Sequence, residues 1–573
     1  MECRLCRNTR SGFERPFFRL AASGCIDDKT NIACFAVFAR RKNCSLSGRR
    51  ASFPTKPSED EDMLAQVHGV TLDGIEGVVC EVEVDVGRGG FEKTVIVGLP
   101  DAAVKESLER VRSAIVNSGF RYPKTQSLVN LAPADIKKEG PAFDLPIALG
   151  MIVGSGALPG ESMQDHVLVG ELALDGRVRP VNGALSMAMA AQARGYGAIF
   201  VPAANAAEAA VVQGIDVFGI ESLAHAVGLL SGQLVLEKTT VDLDQVFAVE
   251  SRYAMDFSDV RGQEAAKRAL TVAAAGAHNI LMIGPPGAGK TMLAQRLVTL
   301  LPPLGLAESL ETTRIYSSMG LLERGKSLMA RRPVRMPHHS ASGPALVGGG
   351  PNARPGELSL AHHGILFLDE FAEFPRHVLE MIRQPLEDGT ITVSRAKRTM
   401  TYPARFMCVA SLNPCPCGFF GAGIKRCRCT PQQIERYLSK VSGPLMDRID
   451  IHIDVPAMTF DKLYTEPSNG TETSADIRVR VLKARAHQTR RFEPDTIGNN
   501  ATMSHRQVES FCALQPSARM MLKNAMAEFG LSARAHDKIC KVSRTIADLA
   551  DCETIIEEHV AEAVGYRRLD RKY

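Results

Sequence analysis

No uninterrupted apolar run in this 573-residue chain is long enough to cross a bilayer, which excludes a membrane-spanning helix. A strong charge imbalance is also missing. Lys and Arg number 68 against 64 Asp and Glu, a net +4, so contact with nucleic acid must come from local basic patches and not from a global field. The 14 cysteines lack the even spacing of a secreted disulfide scaffold. Five (Cys3, Cys6, Cys25, Cys34 and Cys44) crowd the start, four fall between 415 and 429, and Cys80, Cys408, Cys512, Cys540 and Cys552 are scattered. A reducing, cytoplasmic setting is the expectation. What is present is ordinary for a globular protein, with 45% apolar and 23% charged residues. The length suggests about three or four domains, and the strand and helix patterns along the chain point to an α/β multidomain fold.

Residues 1–62 differ from the rest. They are rich in Arg, Ser and Cys, show little periodicity, and end in the turn-prone "PTKPSEDED". They read as a disordered or non-native extension, with Met63 as the natural start; a basic, Ser-rich transit peptide is the alternative. From Met63, "GVVCEVEVDVG" and "EKTVIVGLP" alternate as strands. Asp101 then caps a helix with Val104, Leu108, Val111 and Ile115 on one face, stopped by Gly119. "HVLVGELALDG", an Ala-rich helix near 184–194 and the strand "GAIFVPA" follow, and this α+β region ends near 232. Residues 233–255 read as a linker. A third region, 256–458, opens as a helix, a buried strand and a Gly-rich turn into a helix. "EPSNGTET" is a loop, and 475–573 are helical, with Ile539, Val542, Ile546 and Leu549 at helical spacing.

"GPPGAGKT" fits G-x-x-x-x-G-K-[ST] and follows the apolar run Ile280–Ile283, the context this motif requires. The glycines of the turn Gly284, Pro285, Pro286, Gly287, Ala288 and Gly289 would let its backbone N–H groups, which the two prolines lack, face phosphate oxygens, aided by the positive end of the next helix. Lys290 would reach the β- and γ-phosphates, and the Thr291 hydroxyl would bind Mg²⁺. "GILFLDE" delivers Asp369 and Glu370 at a strand end, Asp369 for the Mg²⁺ shell and Glu370 to polarise the attacking water. Asn413, ending the apolar run "RFMCVASLNP", would touch the γ-phosphate or that water. Arg448 in "MDRID" could stabilise transition-state charge at a neighbouring subunit's nucleotide, or simply pair with Asp447 or Asp450. Arg534 in "GLSARAH" could close over the phosphates, with Arg544 the less favoured choice.

Directly after Asn413 come Cys415, Cys417, Cys427 and Cys429, two C-x-C pairs joined by a loop containing Gly418, Gly421 and Gly423. Four thiolates suit a closed, structural Zn²⁺ site that would brace this loop. A thiol redox switch and free thiols are the alternatives.

The order GPPGAGKT, ILFLDE, SLNP, DRID and LSAR resembles the AAA+ ATPases. "RPVRMPHHSASGPALVGGGPNARPGELSLAHHGILFLDE", "SLNPCPCG" and "LSARAHDKICKVSRTIADL" narrow the resemblance to the magnesium-chelatase-like ComM/YifB family, over residues 63–573. The resemblance implies an AAA+ P-loop α/β core, a C-terminal helical lid and a homo-hexameric ring with ATP and Mg²⁺ at subunit interfaces. Lys290 and Thr291 then become the Walker A ligands, Asp369 and Glu370 the Walker B pair, Asn413 sensor one, Arg448 the trans-acting finger and Arg534 sensor two. Residues 63–232 resemble the proteolytic domain of Lon. Ala142 stands where Lon has its serine and Leu185 where it has its lysine, so no peptidase is expected.

In related AAA+ helicases a hairpin before sensor one projects into the ring channel. "DGTITVSRAKRTMTYPARF" reads as that hairpin, and Arg395, Lys397 and Arg398 at its tip would grip DNA phosphates without reading bases. "ARRPVRMPHH" (330–339) is expected as a second basic stretch facing the same channel. The resulting expectation is an ATP-driven DNA translocase active in branch migration, recombination or DNA uptake. The alternative is an ATPase subunit of a magnesium chelatase-like complex; a non-enzymatic scaffold is disfavoured by the full set of ATPase residues.

Overall fold

The alternation after Met63 becomes an antiparallel hairpin, Leu64–Asp73 with Glu76–Val86, paired from Leu64–Asp85 to Asp73–Glu76. A two-residue turn closes it, and Gly74 supplies the positive φ (67°) that such a turn needs. The computed structural model describes residues 64–567 apart from 88, 90, 251–252, 324, 351–352, 396–397, 424, 458–471 and 493–497. Side chains 162, 250, 395 and 398 are also outside the description. The 1–62 extension and most of the "EPSNGTET" loop therefore lie outside the described residues.

The hairpin forms the middle of a seven-stranded mixed sheet. Its order is Lys93–Val97, Gln126–Ala132, Glu76–Val86, Leu64–Asp73, His166–Leu168, Ala198–Pro202 and Asp216–Ile220. Ala102–Asn117 and Asp144–Gly154 pack over it around Val82, Val84, Val111, Ile115 and Leu149, which lose essentially all contact with water. Asp101 caps the first of these helices as its sequence suggested, accepting from the Val104 N–H at 2.8 Å.

A second sheet is parallel throughout. Its order is Val334–Arg335, Ile365–Leu368, Met407–Leu412, Ile280–Ile283 and Ile451–Asp454. Ile280–Ile283, Ile365–Leu368 and Met407–Leu412 are buried at every position, as a sheet covered on both faces requires. Parallel pairing carries the carboxyl ends of these three strands, and hence Gly284, Asp369 and Asn413, to one edge. A mixed α/β architecture with a P-loop-type parallel core is the result. Beyond it, the helices Ser474–Arg491, His505–Phe511, Pro516–Phe529, Ala533–Leu549 and Glu557–Gly565 share one hydrophobic core with the strands.

The helix Leu306–Ser318 joins the two sheets. The Ser317 hydroxyl accepts from Gly183 N–H at 2.9 Å and donates to the buried Glu208 carboxylate, and Arg314 pairs with Glu76. Ile75, at the hairpin turn, is buried in the same cluster as Tyr402 and Leu366 of the second region. The stretch 233–255, expected as a linker, contains the helix Leu243–Glu250. Its Leu243, Val246 and Phe247 pack on Leu185, Val211 and Leu328, so apolar spacing within a short polar segment was enough to fold it. Among the described residues, no helix is long and apolar enough to cross a membrane.

Candidate active site

The Gly-rich turn links strand Ile280–Ile283 to helix Lys290–Leu297. A Cβ on Gly284 would lie 2.1 Å from the Val455 carbonyl oxygen, so only glycine lets the neighbouring strand end approach this closely. Gly287 and Gly289 adopt φ of 77° and 87°, and Gly289 is the helix N-cap. Pro286 lies between them and Gly284, and Ala288 is buried.

Lys290 folds back along the turn. Its ammonium donates to the Gly284 and Pro285 carbonyls at 2.7 and 3.0 Å and to Asn413 Oδ1 at 3.1 Å. Burial lowers its pKa, and the Asp369 and Glu370 carboxylates oppose that shift. Thr291 Oγ1 donates to Asp369 Oδ2 at 2.8 Å, while the Ser411 hydroxyl donates to Asp369 Oδ1. Five expected residues (Lys290, Thr291, Asp369, Glu370 and Asn413) thus meet at one sheet edge. Glu370 sits in the left-handed region at φ 53°, with its N–H directed at Asp369 Oδ1 (3.0 Å) and Ser411 Oγ (3.3 Å). Its carboxylate lies 3.3 Å from His339 Nδ1.

The arginines are placed differently. Arg448 is buried, its guanidinium held by Glu387 at 2.5 Å and by the Pro444 carbonyl at 2.5 Å, with no bond to Asp447 or Asp450. Its carbonyl accepts from Asn279, the residue just before strand Ile280–Ile283. That puts Arg448 at the sheet edge opposite Lys290 of its own chain. Arg534, second residue of helix Ala533–Leu549, is exposed and forms no hydrogen bond or ion pair among the described residues. Arg544 is buried and committed to Asp548 and to the Cys552 and Glu553 carbonyls.

The four cysteines meet. Sγ of Cys415 is 3.3 Å from that of Cys417 and 3.7 Å from that of Cys427, and Cys417 and Cys427 are 3.6 Å apart. All four sulfurs lie within 4.8 Å of one another. Backbone N–H groups of Arg428 and Phe419 lower the Cys417 pKa to about 6, favouring its thiolate. Gly418 rests against the Pro286 ring, so the loop that carries the cysteines touches the Gly-rich turn directly.

A second cluster comprises Glu311, His362 and His363. The Arg405 N–H donates to His362 Nδ1 at 3.0 Å, so the His362 proton is on Nε2 and is given to Glu311 at 3.0 Å. His363 Nε2 lies 2.8 Å from the same carboxylate oxygen. The His362 nitrogen facing Glu311 therefore has no lone pair for a metal, and the group reads as a carboxylate locking two imidazoles.

The hairpin is present as Thr390–Arg395 paired with Arg398–Pro403, register Arg395 to Arg398. The side chains of Arg395, Lys397 and Arg398 lie outside the described residues. Of the arginines in the expected basic stretch 330–339, Arg331 is exposed and the other two are tied inward. Arg332 is tied to Glu308 and to the Pro302 and His363 carbonyls, and Arg335 grips Glu357 through two bonds of 2.6 and 2.7 Å. Both are internal braces, since each has a carboxylate at hand. Sequence reading missed Ser411, His339 and Glu387. Ser411 was within reach, being two residues before Asn413 on the same strand; the other two come from distant segments.

The magnesium chelatase subunit ChlI family matches residues 256–463, and its C-terminal family matches 471–567. A further family, subunit ChlI of Mg-chelatase, matches 82–205. The competence protein ComM of Haemophilus influenzae is 43% identical over 511 residues, covering 89% of this chain and 98% of that protein. YifB of Escherichia coli, an uncharacterized protein, is 42% identical over 508 residues with the same coverage. The magnesium-chelatase 38 kDa subunit of Cereibacter sphaeroides is 25% identical over 264 residues, 42% of this chain and 75% of that protein.

Proposed function

Since this chain belongs to the magnesium-chelatase-like ComM/YifB family and is one of its AAA+ ATPases, we propose that it is a ring motor that hydrolyses ATP to move DNA. The observation that carries the hydrolytic half is the bonded network Lys290–Asn413 and Thr291–Asp369–Ser411. It ties the phosphate loop to the ends of the adjacent strand Met407–Leu412 and of the next strand over, Ile365–Leu368.

Lys290 and the loop N–H groups would bind the β- and γ-phosphates, and Asn413 would orient the terminal phosphoryl group. The hydroxyl of Thr291 and the carboxylate of Asp369, already paired at 2.8 Å, are the oxygen donors suited to Mg²⁺. Bound there, Mg²⁺ neutralises charge on the phosphate oxygens. Glu370 would accept a proton from the attacking water. Arg448 would serve the next protomer of a homo-hexamer, which requires it to leave Glu387; its position at the opposite sheet edge supports a role in trans. Arg534 would act as sensor two from a helical lid over the same nucleotide.

The DNA half rests on the hairpin Thr390–Pro403, with Arg395, Lys397 and Arg398 at its tip, and on the printed name of the competence protein. Branch migration or helicase action during recombination or transformation is the process we assign. Residues 63–232 are read as a Lon-protease-like domain without its nucleophile and lysine, given Ala142 and Leu185. The cysteine cluster is read as a zinc site. Tetrahedral Zn–S bonds of about 2.3 Å need sulfurs about 3.8 Å apart, close to the 3.3–3.7 Å seen.

The test is ATP turnover with and without branched DNA. Stimulation supports the DNA motor; no response, with ATP still consumed, favours a chelatase-type subunit, the reading to which the three family matches also point. Substituting Arg395 and Lys397 by Ala should weaken DNA binding and flatten its salt dependence.

A further inference from the structure

We propose that the cysteine loop 415–429 is a second DNA contact, one that takes single-stranded DNA; the assignment rests on the DNA reading above and adds a site to it. Between Asp388 and Glu435 the chain carries seven Lys or Arg and no Asp or Glu, in a protein whose charges otherwise nearly balance. Arg395, Lys397 and Arg398 belong to the hairpin, and Arg405 follows it. The other three, Lys425, Arg426 and Arg428, belong to the cysteine loop. The hairpin feeds into the start of strand Met407–Leu412 and the loop leaves its end. Six residues of strand, about 20 Å, therefore separate their points of attachment.

Sulfur fixes the backbone of the loop. The Phe420 N–H donates to Cys415 Sγ and the Cys429 N–H to Cys427 Sγ, both at 3.4 Å. The N–H groups of Phe419 and Arg428 face the Cys417 sulfur. With all four sulfurs within 4.8 Å of one another, Phe420 and Arg428 project from one anchor. What they project is open to water. Lys425, Arg426 and Arg428 are exposed, and among the described residues no carboxylate pairs with them. Phe420 is 52% exposed. Its neighbour Phe419 is already in use, with the Lys425 ammonium 5.4 Å from its ring centre. An added Cβ on Gly421 or Gly423 would meet nothing within 4 Å, so the loop beside Phe420 is uncrowded.

An open ring among cations without acidic partners selects what it binds. A protein surface would need a contiguous apolar patch, and here the ring is followed by Gly421, Ala422 and Gly423. Duplex DNA would answer the cations, but its bases are stacked on one another and leave the ring idle. A single strand satisfies both, with phosphates on Lys425, Arg426 and Arg428 and an unstacked base on Phe420. Stacking accepts every base, so the contact carries no sequence preference.

The experiment titrates full-length protein, with Mg²⁺ and a non-hydrolysable ATP analogue, into labelled oligo-dT and into a labelled duplex of equal length at several salt concentrations. The variants are Phe420→Ala, Phe420→Tyr and the triple Lys425→Ala, Arg426→Ala, Arg428→Ala, each with a thermal melt. Phe420→Ala should weaken oligo-dT binding by about tenfold, the loss of one stacked base, and leave duplex binding unchanged. Phe420→Tyr keeps the ring and should bind as wild type. The triple variant should reduce the slope of log K against log salt on oligo-dT by about 2, at about 0.7 for each phosphate. Wild-type oligo-dT affinity in Phe420→Ala would leave the ring to a protein partner and overturn the proposal. Equal losses on both DNAs at an unchanged melting temperature would also overturn it. Should Phe420→Ala melt early, the triple variant decides, and a wild-type salt slope there overturns the proposal. Weakened oligo-dT binding in Arg395→Ala, Lys397→Ala but in none of these variants would keep the hairpin reading and sink this one. A wild type that binds neither DNA would sink both.

Discussion

Replacing Gly418 by alanine should cripple the nucleotide site from outside it. Gly418 has φ 81°, and a Cβ there would lie 2.5 Å from Cδ and 2.7 Å from Cγ of Pro286. Carbon atoms rest at about 3.5–4.0 Å, so the overlap is about 1 Å. Left-handed backbone adds about 1–2 kcal/mol of strain for a residue with a Cβ. Pro286 must shift by about the overlap, and it lies within the loop whose N–H groups would face phosphate. A misplacement of about 1 Å at a reacting centre costs about 100-fold. Gly421 and Gly423 provide matched controls, because they sit in the same loop at φ 73° and 70° with nothing within 4 Å of an added Cβ. They carry the strain without the collision. A fluorescent-nucleotide titration, ATP turnover and a thermal melt on the three variants separate the two effects. Nucleotide binding and turnover should fall only in Gly418→Ala. If it matches Gly421→Ala while all three remain folded, the contact between the cysteine loop and the phosphate loop does not matter to the site.

Hydrogen bonding from His362 holds the Glu311 carboxyl at about 2, below its usual 4.5. Such a depressed carboxylate contributes stability above its unfolded value and loses it as pH falls from 4.5 toward 2, so Glu311→Gln should flatten the acid limb of a melting-temperature profile. Glu208 is buried and accepts from Leu185 N–H, Asn205 and Ser317, so Glu208→Ala should cost about 3 kcal/mol in urea unfolding by stranding buried donors. Metal analysis of purified protein should find about one zinc per chain, and a folded, metal-free protein would contradict the zinc reading. Ser411→Ala leaves Asp369 Oδ1 with the Glu370 N–H alone and should weaken Mg²⁺-dependent nucleotide binding more than Mg²⁺-free binding, read by titration with and without chelator.

Contiguous patterns were legible in the sequence. Strands Ile280–Ile283 and Ile365–Leu368 are unbroken apolar runs and Met407–Leu412 is apolar but for Ser411, and the parallel sheet gathers the residues that follow them, Gly284, Asp369 and Asn413, at one edge. The cap at Asp101 and the hairpin around 395–398 were legible for the same reason, since local spacing fixes them. What depends on partners brought from elsewhere was not. The charges of Arg332 and Arg335 suggested a surface patch, yet Glu308 and Glu357 take them inward. Arg448 was read from its turn, while the Glu387 that restrains it lies far back in the chain, on the helix Arg376–Asp388. His339 carried no signal until the pairing of Val334 with Ile365 was known. The helix Leu243–Glu250 was missed because its partners, Leu185 and Leu328, come from two different regions.

The central claim is that Lys290, Asp369 and Glu370 form one hydrolytic site. Its most direct test is ATP turnover and nucleotide binding by Glu370→Gln beside wild type. The variant should bind ATP with Mg²⁺ as tightly as wild type and hydrolyse it at least about 100-fold more slowly, since proton acceptance from water is lost. A wild-type rate in Glu370→Gln, or a wild-type protein with no turnover, would contradict it.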